Sequence, residues 1–239
     1  MAMVVVHGVL ADAAQWNDVR TGLVARGHDV IARDRRGRNG VALNTDYSLK
    51  TEIDDLHRVL DKAGRNPILF GHSYGAVIAL LTAQQRDDLH SVILYEPIAT
   101  GHQLKAFVGS AVDRAKRAVD AGDLHAAMEI IVTDVSPTPP DVLERYRGNR
   151  MWKSQLPFVA SAVRELDAML AYDLDYDQVA VPKAPTKIVL GAKNVGTMPF
   201  GRPTETLAYT LGAELLLLDN LGHVAHMEAP DKLVEAISS

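Results

Sequence analysis

Short apolar runs alternate along the chain with segments whose apolar residues recur at helical spacing, the pattern of a parallel sheet with crossover helices. The runs Met3–His7, Asp29–Arg33, Ile68–Phe70, Ser91–Tyr95, Thr186–Leu190 and Glu214–Leu218 predict strands. Most are rich in Val, Ile and Leu without polar alternation, as expected of strands covered on both faces. Between the first two, Ala13–Arg26 carries Trp16, Val19, Leu23 and Val24 on one helical stripe. Leu49–Ala63 repeats the scheme with Ile53, Leu56, Val59 and Leu60, and Ala76–Ala83 is a further apolar helix.

The spacing changes after Tyr95. About 90 residues separate it from the strand at Thr186, too many for a bare loop in a compact domain. Leu104, Phe107, Val108, Ala111, Val112, Ala115 and Val119 form one helical stripe. Met128, Ile131 and Val132 lie on a second, shorter segment, and Pro139-Pro140 begins a third. Met151–Ala171 completes a helical insertion, interrupted at Pro157. Asp173–Pro185 reads as an acidic return linker. The expected organisation is an α/β core of residues 1–96 and 185–239, with a helical cap of residues 97–184.

Composition narrows the chemistry. Of 239 residues, 47% are hydrophobic and 23% charged, enough to bury one large core without cross-links. The absence of cysteine excludes disulfides and thiol catalysis. A net charge of −5 argues against a nucleic-acid partner. The apolar start, Met1 to Val6, is too short and lacks the basic flank of a secretory leader, and no apolar run approaches a membrane span. The expectation is a cytoplasmic protein with a small-molecule partner, no membrane partner, and a second copy of the chain left open. No cofactor or metal is expected, because no histidine–carboxylate spacing resembles a ligand set.

Gly71-His72-Ser73-Tyr74-Gly75 lies between a strand and an apolar helix. In that context G-x-S-x-G is a sharp turn that lifts a strained serine clear of the sheet, which makes Ser73 the candidate nucleophile. The backbone N–H of Tyr74, opening the helix, is one candidate oxyanion donor, and that of Val9, in the loop after the first strand, is the other. His223 follows the last strand at the same carboxyl edge and is the candidate base. His226 competes with it, and His7 and His72 are read as supports of their loops.

With Val5-Val6-His7-Gly8, Asp34-Arg35-Arg36-Gly37-Arg38, Tyr95-Glu96-Pro97 and Gly222-His223 before Glu228-Ala229-Pro230, the chain resembles the α/β-hydrolase superfamily over nearly its whole length. It is similar to small bacterial serine hydrolases that begin at the third strand of the full fold and carry a helical cap. The resemblance implies Ser73 as nucleophile, His223 as base, Val9 and Tyr74 as oxyanion donors, and the insertion as a lid. It also implies an aspartate after the penultimate strand, where this chain reads Gly191-Ala192-Lys193-Asn194. Glu96, ending the strand Ser91–Tyr95, is the leading substitute for the missing acid; Asn194 acting through its carbonyl, another residue, or no working acid at all are the alternatives.

The cap's Phe107, Met128, Met151, Trp152, Phe158 and Met169 could line a pocket for an apolar substrate or form the cap's own core; Trp152, Met128 and Phe158 are taken as substrate-binding. Arg33, Arg35, Arg36 and Arg38 read as a solvated loop with internal ion pairs, or as an attractor for an anionic substrate. The expected function is hydrolysis of a carboxylic ester, thioester or lactone through an acyl-Ser73 intermediate. A lyase, acyl transferase or pericyclic enzyme, and a ligand-binding module without turnover, are the alternatives.

Overall fold

The computed structural model describes every residue except Asn44, Thr45, Pro139 and Ser239. Six parallel strands form one sheet: β1 (Ala2–Val6), β2 (Asp29–Ala32), β3 (Ile68–His72), β4 (Ser91–Tyr95), β5 (Thr186–Gly191) and β6 (Glu214–Leu218). Their order is β2-β1-β3-β4-β5-β6. Successive side chains alternate faces, and both faces of the inner strands are covered. Met3, Val5, Ile68 and Phe70 pack with helices α1 (Asn17–Ala25) and α10 (Pro230–Ser238). Val4, Val6, Leu69 and Leu94 pack on the other side with α2 (Leu49–Leu60) and α3 (Tyr74–Ala83). Ser48 starts α2 by a reciprocal capping box with Thr51.

The strand β6 departs from the expectation of two covered faces. It is the edge of the sheet, and Leu215 and Leu217 stay exposed because α9 (Gly201–Leu211) packs mainly on β5.

Between β4 and β5 the chain makes one helical excursion. It comprises α4 (Gly101–Asp120), α5 (Leu124–Ile130), α6 (Pro140–Arg147), α7 (Arg150–Gln155) and α8 (Val159–Ala171). Leu104, Val108, Ala111, Val112 and Ala115 bury the inner stripe of α4, but Phe107 lies off it and is 43% exposed. Of the expected Pro139-Pro140 start, Pro140 opens α6 and Pro139 lies outside the described residues. The interruption expected at Pro157 is a 3-10 turn, Leu156–Phe158. The two stems of the excursion are pinned together. The Tyr176 hydroxyl donates to the Ile98 carbonyl at 2.8 Å, and Thr100 Oγ1 donates to the Leu174 carbonyl at 2.7 Å. Among the described residues no helix is long and apolar enough to cross a membrane.

Candidate active site

The strand β3 turns into α3 through a single residue, Ser73, held at φ 57° and ψ −121°. A non-glycine residue rarely adopts this region, and such strain costs about 1–3 kcal/mol. It persists because the neighbours close tightly around it. A Cβ on Gly75 would stand 2.2 Å from the Val6 carbonyl oxygen, so only glycine lets α3 meet the end of β1. The Ser73 N–H donates to the Tyr95 carbonyl at 2.9 Å. Tyr74 is the first residue of α3, where the N–H has no intrahelical acceptor and the helix dipole is positive. Val9 sits in the turn after β1, next to Leu10, whose φ of 59° bends the chain away. Val9, Ser73 and His223 line one cavity of about 240 Å³.

Beyond β4 the side chain of Glu96 is fully buried, on a residue with φ 44°. Its Oε2 accepts from His223 Nδ1 at 2.6 Å. Asn194 Nδ2 donates to Oε1 and Oε2 at 2.9 and 2.8 Å, and the Gly191 N–H donates to Oε1 at 2.8 Å. The two alternatives for the acid therefore occupy one cluster: Glu96 faces the imidazole, and Asn194 faces Glu96. An aspartate at 194 would set two carboxylates against each other; the amide supplies a donor instead. With Nδ1 donating to the carboxylate, Nε2 is the nitrogen left to accept a proton.

The loop carrying His223 is fixed from several sides. Phe200 stacks on the imidazole with ring centroids 3.6 Å apart. His72 Nε2 donates to the His223 carbonyl at 2.9 Å, and burial keeps the His72 pKa well below its ordinary value, so that ring stays neutral. The Tyr95 hydroxyl donates to the Gly222 carbonyl and accepts from the Ala225 N–H. His226 has a different environment. It stacks on Trp16 at 4.5 Å, and burial, with the nearby His223, pushes its pKa down to about 3. No carboxylate is hydrogen-bonded to it among the described residues, so only His223 of the two has an anion to stabilise a ring cation.

The sequence matches the alpha/beta hydrolase family over residues 3–236. The chain belongs to that family. Among curated proteins it is 24% identical to the sn-1-specific diacylglycerol lipase ABHD11 of Mus musculus, over 100% of this chain and 80% of that one. Among solved structures it is similar to an alpha/beta hydrolase from Sphaerobacter thermophilus, with TM-score 0.81, 24% identity, and 99% and 91% of the two chains covered. An esterase from Exiguobacterium antarcticum gives TM-score 0.75 and 20% identity over 99% and 90%. The α/β-hydrolase fold with a helical insertion, expected from the motifs, is the fold of this chain.

The cavity wall of this alpha/beta hydrolase differs from the expected one. Met128, Trp152 and Phe158 do not line it; all three are buried, Met128 and Trp152 within the cluster that joins the cap to the core. Trp152 Nε1 donates to His125 Nδ1 at 3.1 Å, and Phe158 lies under the Arg38 guanidinium. Within one apolar segment, Met128 faces its helical neighbours while Val132 reaches the cavity. The apolar wall comes instead from Met151, Val132, Val135, Leu166, Ile98 and Phe200, with Tyr146 hydrogen-bonded to Gln155 as its polar part. Phe200 belongs to no helical stripe or strand run, and nothing in the sequence pattern marks it.

A larger cleft of about 440 Å³ opens beside β2 and α2, lined partly by Arg33, Arg36, Arg58 and Lys62. It contains none of Ser73, Glu96 and His223, and the smaller cavity is the candidate site for that reason. Among the described residues no group of three or more His, Asp and Glu is arranged to hold a metal ion.

Proposed function

We propose that this α/β-hydrolase cleaves a carboxylic ester, thioester or lactone through an acyl-Ser73 intermediate, with His223 as base and Glu96 as its carboxylate partner. The observation that carries the reading is the 2.6 Å hydrogen bond to the buried Glu96 from Nδ1 of His223, a residue that lines one cavity with Ser73. His223 Nε2 takes the Ser73 hydroxyl proton as Oγ attacks the substrate carbonyl carbon. The carbonyl π bond opens and its oxygen becomes an oxyanion, which accepts hydrogen bonds from the N–H groups of Val9 and Tyr74. Collapse of the adduct expels the alcohol or thiol, which leaves with the proton from His223. Water then attacks the acyl-serine with His223 again as base, the acid departs, and Ser73 regains its proton. Glu96 stays ionised throughout and stabilises the imidazolium.

The cavity volume of about 240 Å³ lies below the ~300–1,000 Å³ usual for drug-sized ligands, which supports a small substrate. Its wall of Met, Val, Ile, Leu and Phe side chains supports a mainly apolar one. Two similar proteins are named as an esterase and a diacylglycerol lipase, and ester cleavage is carried over from them only as part of this reading.

The test is intact mass after treatment with a fluorophosphonate, followed by turnover of nitrophenyl esters of increasing acyl length. One adduct per chain, lost in Ser73→Ala, together with a preference for short acyl groups, is expected. An unlabelled wild type beside a labelled control hydrolase would overturn the reading.

A further inference from the structure

We propose that Arg35 is a positioning residue for the oxyanion site, holding the loop after β1 so that the Val9 N–H is presented to the cavity and tying that loop to the cap. The inference rests on the reading of Ser73 as nucleophile with Val9 and Tyr74 as oxyanion donors. Arg35 Nε donates to the His7 carbonyl at 2.9 Å and Nη2 donates to the Gly8 carbonyl at 3.0 Å. The ring of His7 closes the same unit: its Nδ1 donates to the Gly8 carbonyl at 3.0 Å, and its Nε2 accepts from the Arg35 N–H at 3.2 Å. The Gly8–Val9 peptide is trans, so its C=O and N–H point in opposite directions. Anchoring the Gly8 carbonyl on the guanidinium therefore aims the Val9 N–H away from Arg35, and Val9 lines the cavity.

Two neighbours of Arg35 serve the same loop. Arg38 Nε donates to the Ala11 carbonyl at 2.8 Å, and Asp34 Oδ1 accepts from the Ala13 N–H at 2.9 Å. Arg35 also lies over the ring of Tyr74, 4.9 Å from its centroid, so one cation touches both the peptide that carries the Val9 N–H and the side chain of Tyr74. Its own charge is matched. Arg35 Nη1 pairs with Glu52 of α2 at 2.8 Å and lies 3.0 Å from Glu165 Oε1 of α8, which is also 3.0 Å from Arg38. Glu165 Oε1 is off the hydrogen-bonding axes, so that contact is coulombic, while its Oε2 accepts from Arg38. Burial alone would lower the Arg35 pKa, and the two carboxylates raise it above its ordinary value instead. A run that reads as a solvated loop or an anion trap is, at Arg35 and Arg38, a buried mould for the oxyanion loop, with one carboxylate supplied by the cap. A lysine cannot replace this fork, because a point charge on a flexible stem does not hold two successive carbonyls in fixed directions.

The test is the kinetics of Arg35→Lys in two backgrounds. In the otherwise native enzyme, kcat for an ester substrate is expected to fall about 10- to 100-fold. KM is expected to stay within about threefold, since the oxyanion exists only in the transition state. In a Val9→Pro background, where the N–H is already gone, the same substitution is expected to cost almost nothing. Native kcat in a folded Arg35→Lys, or an equal loss in both backgrounds, overturns the proposal, the second result meaning a purely structural arginine. If Arg35→Lys does not fold, the wild type answers: a boronic acid bound to Ser73 is expected to shift the Arg35 Nε–H resonance, and an unmoved resonance overturns the proposal. A wild type that neither labels nor turns over esters instead removes the nucleophile reading, and this inference with it.

Discussion

Glu96 and Glu165 are both 0% exposed, and each sits against cationic or potentially cationic neighbours. Glu96 meets one histidine, one amide side chain and one peptide N–H. Glu165 meets two guanidinium groups. A histidine can gain and lose a proton near neutrality, whereas an arginine stays charged. The Glu96 cluster is thus built around a partner whose charge can change during a reaction, and the Glu165 cluster around partners whose charge cannot. A buried carboxylate is no mark of chemistry by itself; the partner decides whether it is a reagent or a strut.

The contrast is tested first where it is largest. Replacing Glu96 by Gln should lower kcat by about 10⁴, measured with saturating ester, because a neutral amide cannot stabilise the imidazolium. The chain should still unfold cooperatively in urea. Glu165→Leu should do the reverse. It strips a buried anion from Arg38 and Arg35 and should cost about 3–5 kcal/mol in urea unfolding, with kcat in the folded fraction falling by less than about tenfold. If Glu165→Leu abolishes turnover while leaving stability intact, the distinction between the clusters collapses.

A finer probe is Asn194→Asp, which brings a second carboxylate within hydrogen-bonding distance of Glu96. Two such groups cannot both ionise easily, so their shared apparent pKa rises. The acid limb of the kcat/KM profile should move to higher pH, with a loss of about tenfold or more below it. An unmoved acid limb would count against Glu96 as the partner of His223.

A last probe uses pH on a buried histidine that has no carboxylate partner among the described residues. Burial pushes the His226 pKa from its ordinary 6.5 down to about 3 in the folded chain. Between those values the unfolded chain binds the extra proton, so stability is present above pH 6.5 and is lost as pH falls toward 3. Thermal unfolding of His226→Phe should show a slope shallower than the wild type by about 1 kcal/mol per pH unit over that window. An equal slope would mean that the ring does not titrate with folding.

What the chain reveals in advance follows from the range of the interactions. The six strands and the Ser73 elbow are written locally, in apolar runs and two glycines a few residues apart. His223 and Glu96 are readable because both stand in loops that leave the carboxyl ends of strands, at the edge where parallel sheets place their ligands. The replacement of an expected aspartate by Asn194 marks the spot, but only the fold brings that amide within 2.9 Å of a carboxylate 98 positions earlier. Helical stripes disclose that Met128, Trp152 and Phe158 are buried, and not against what. Met151 and Trp152 are adjacent, yet only Met151 lines the cavity. The Arg35 run is opaque for a related reason: its partners are a carboxylate in α2, another in the cap, and two carbonyls in the loop after β1.

The pinned stems of the excursion have a consequence for how such a protein diversifies. Where Tyr176 meets the Ile98 carbonyl and Thr100 meets that of Leu174, the chain leaves and rejoins the sheet at nearly one place. Insertions, deletions or wholesale exchange of the helices beyond that clasp need not alter the pairing of β4 with β5, nor the seating of Glu96 between them. One stretch of the gene can drift in what the cavity admits while the flanking stretches keep Ser73, Glu96 and His223 together. The main tether on that freedom is Glu165, the cap carboxylate that a replacement segment has to supply again.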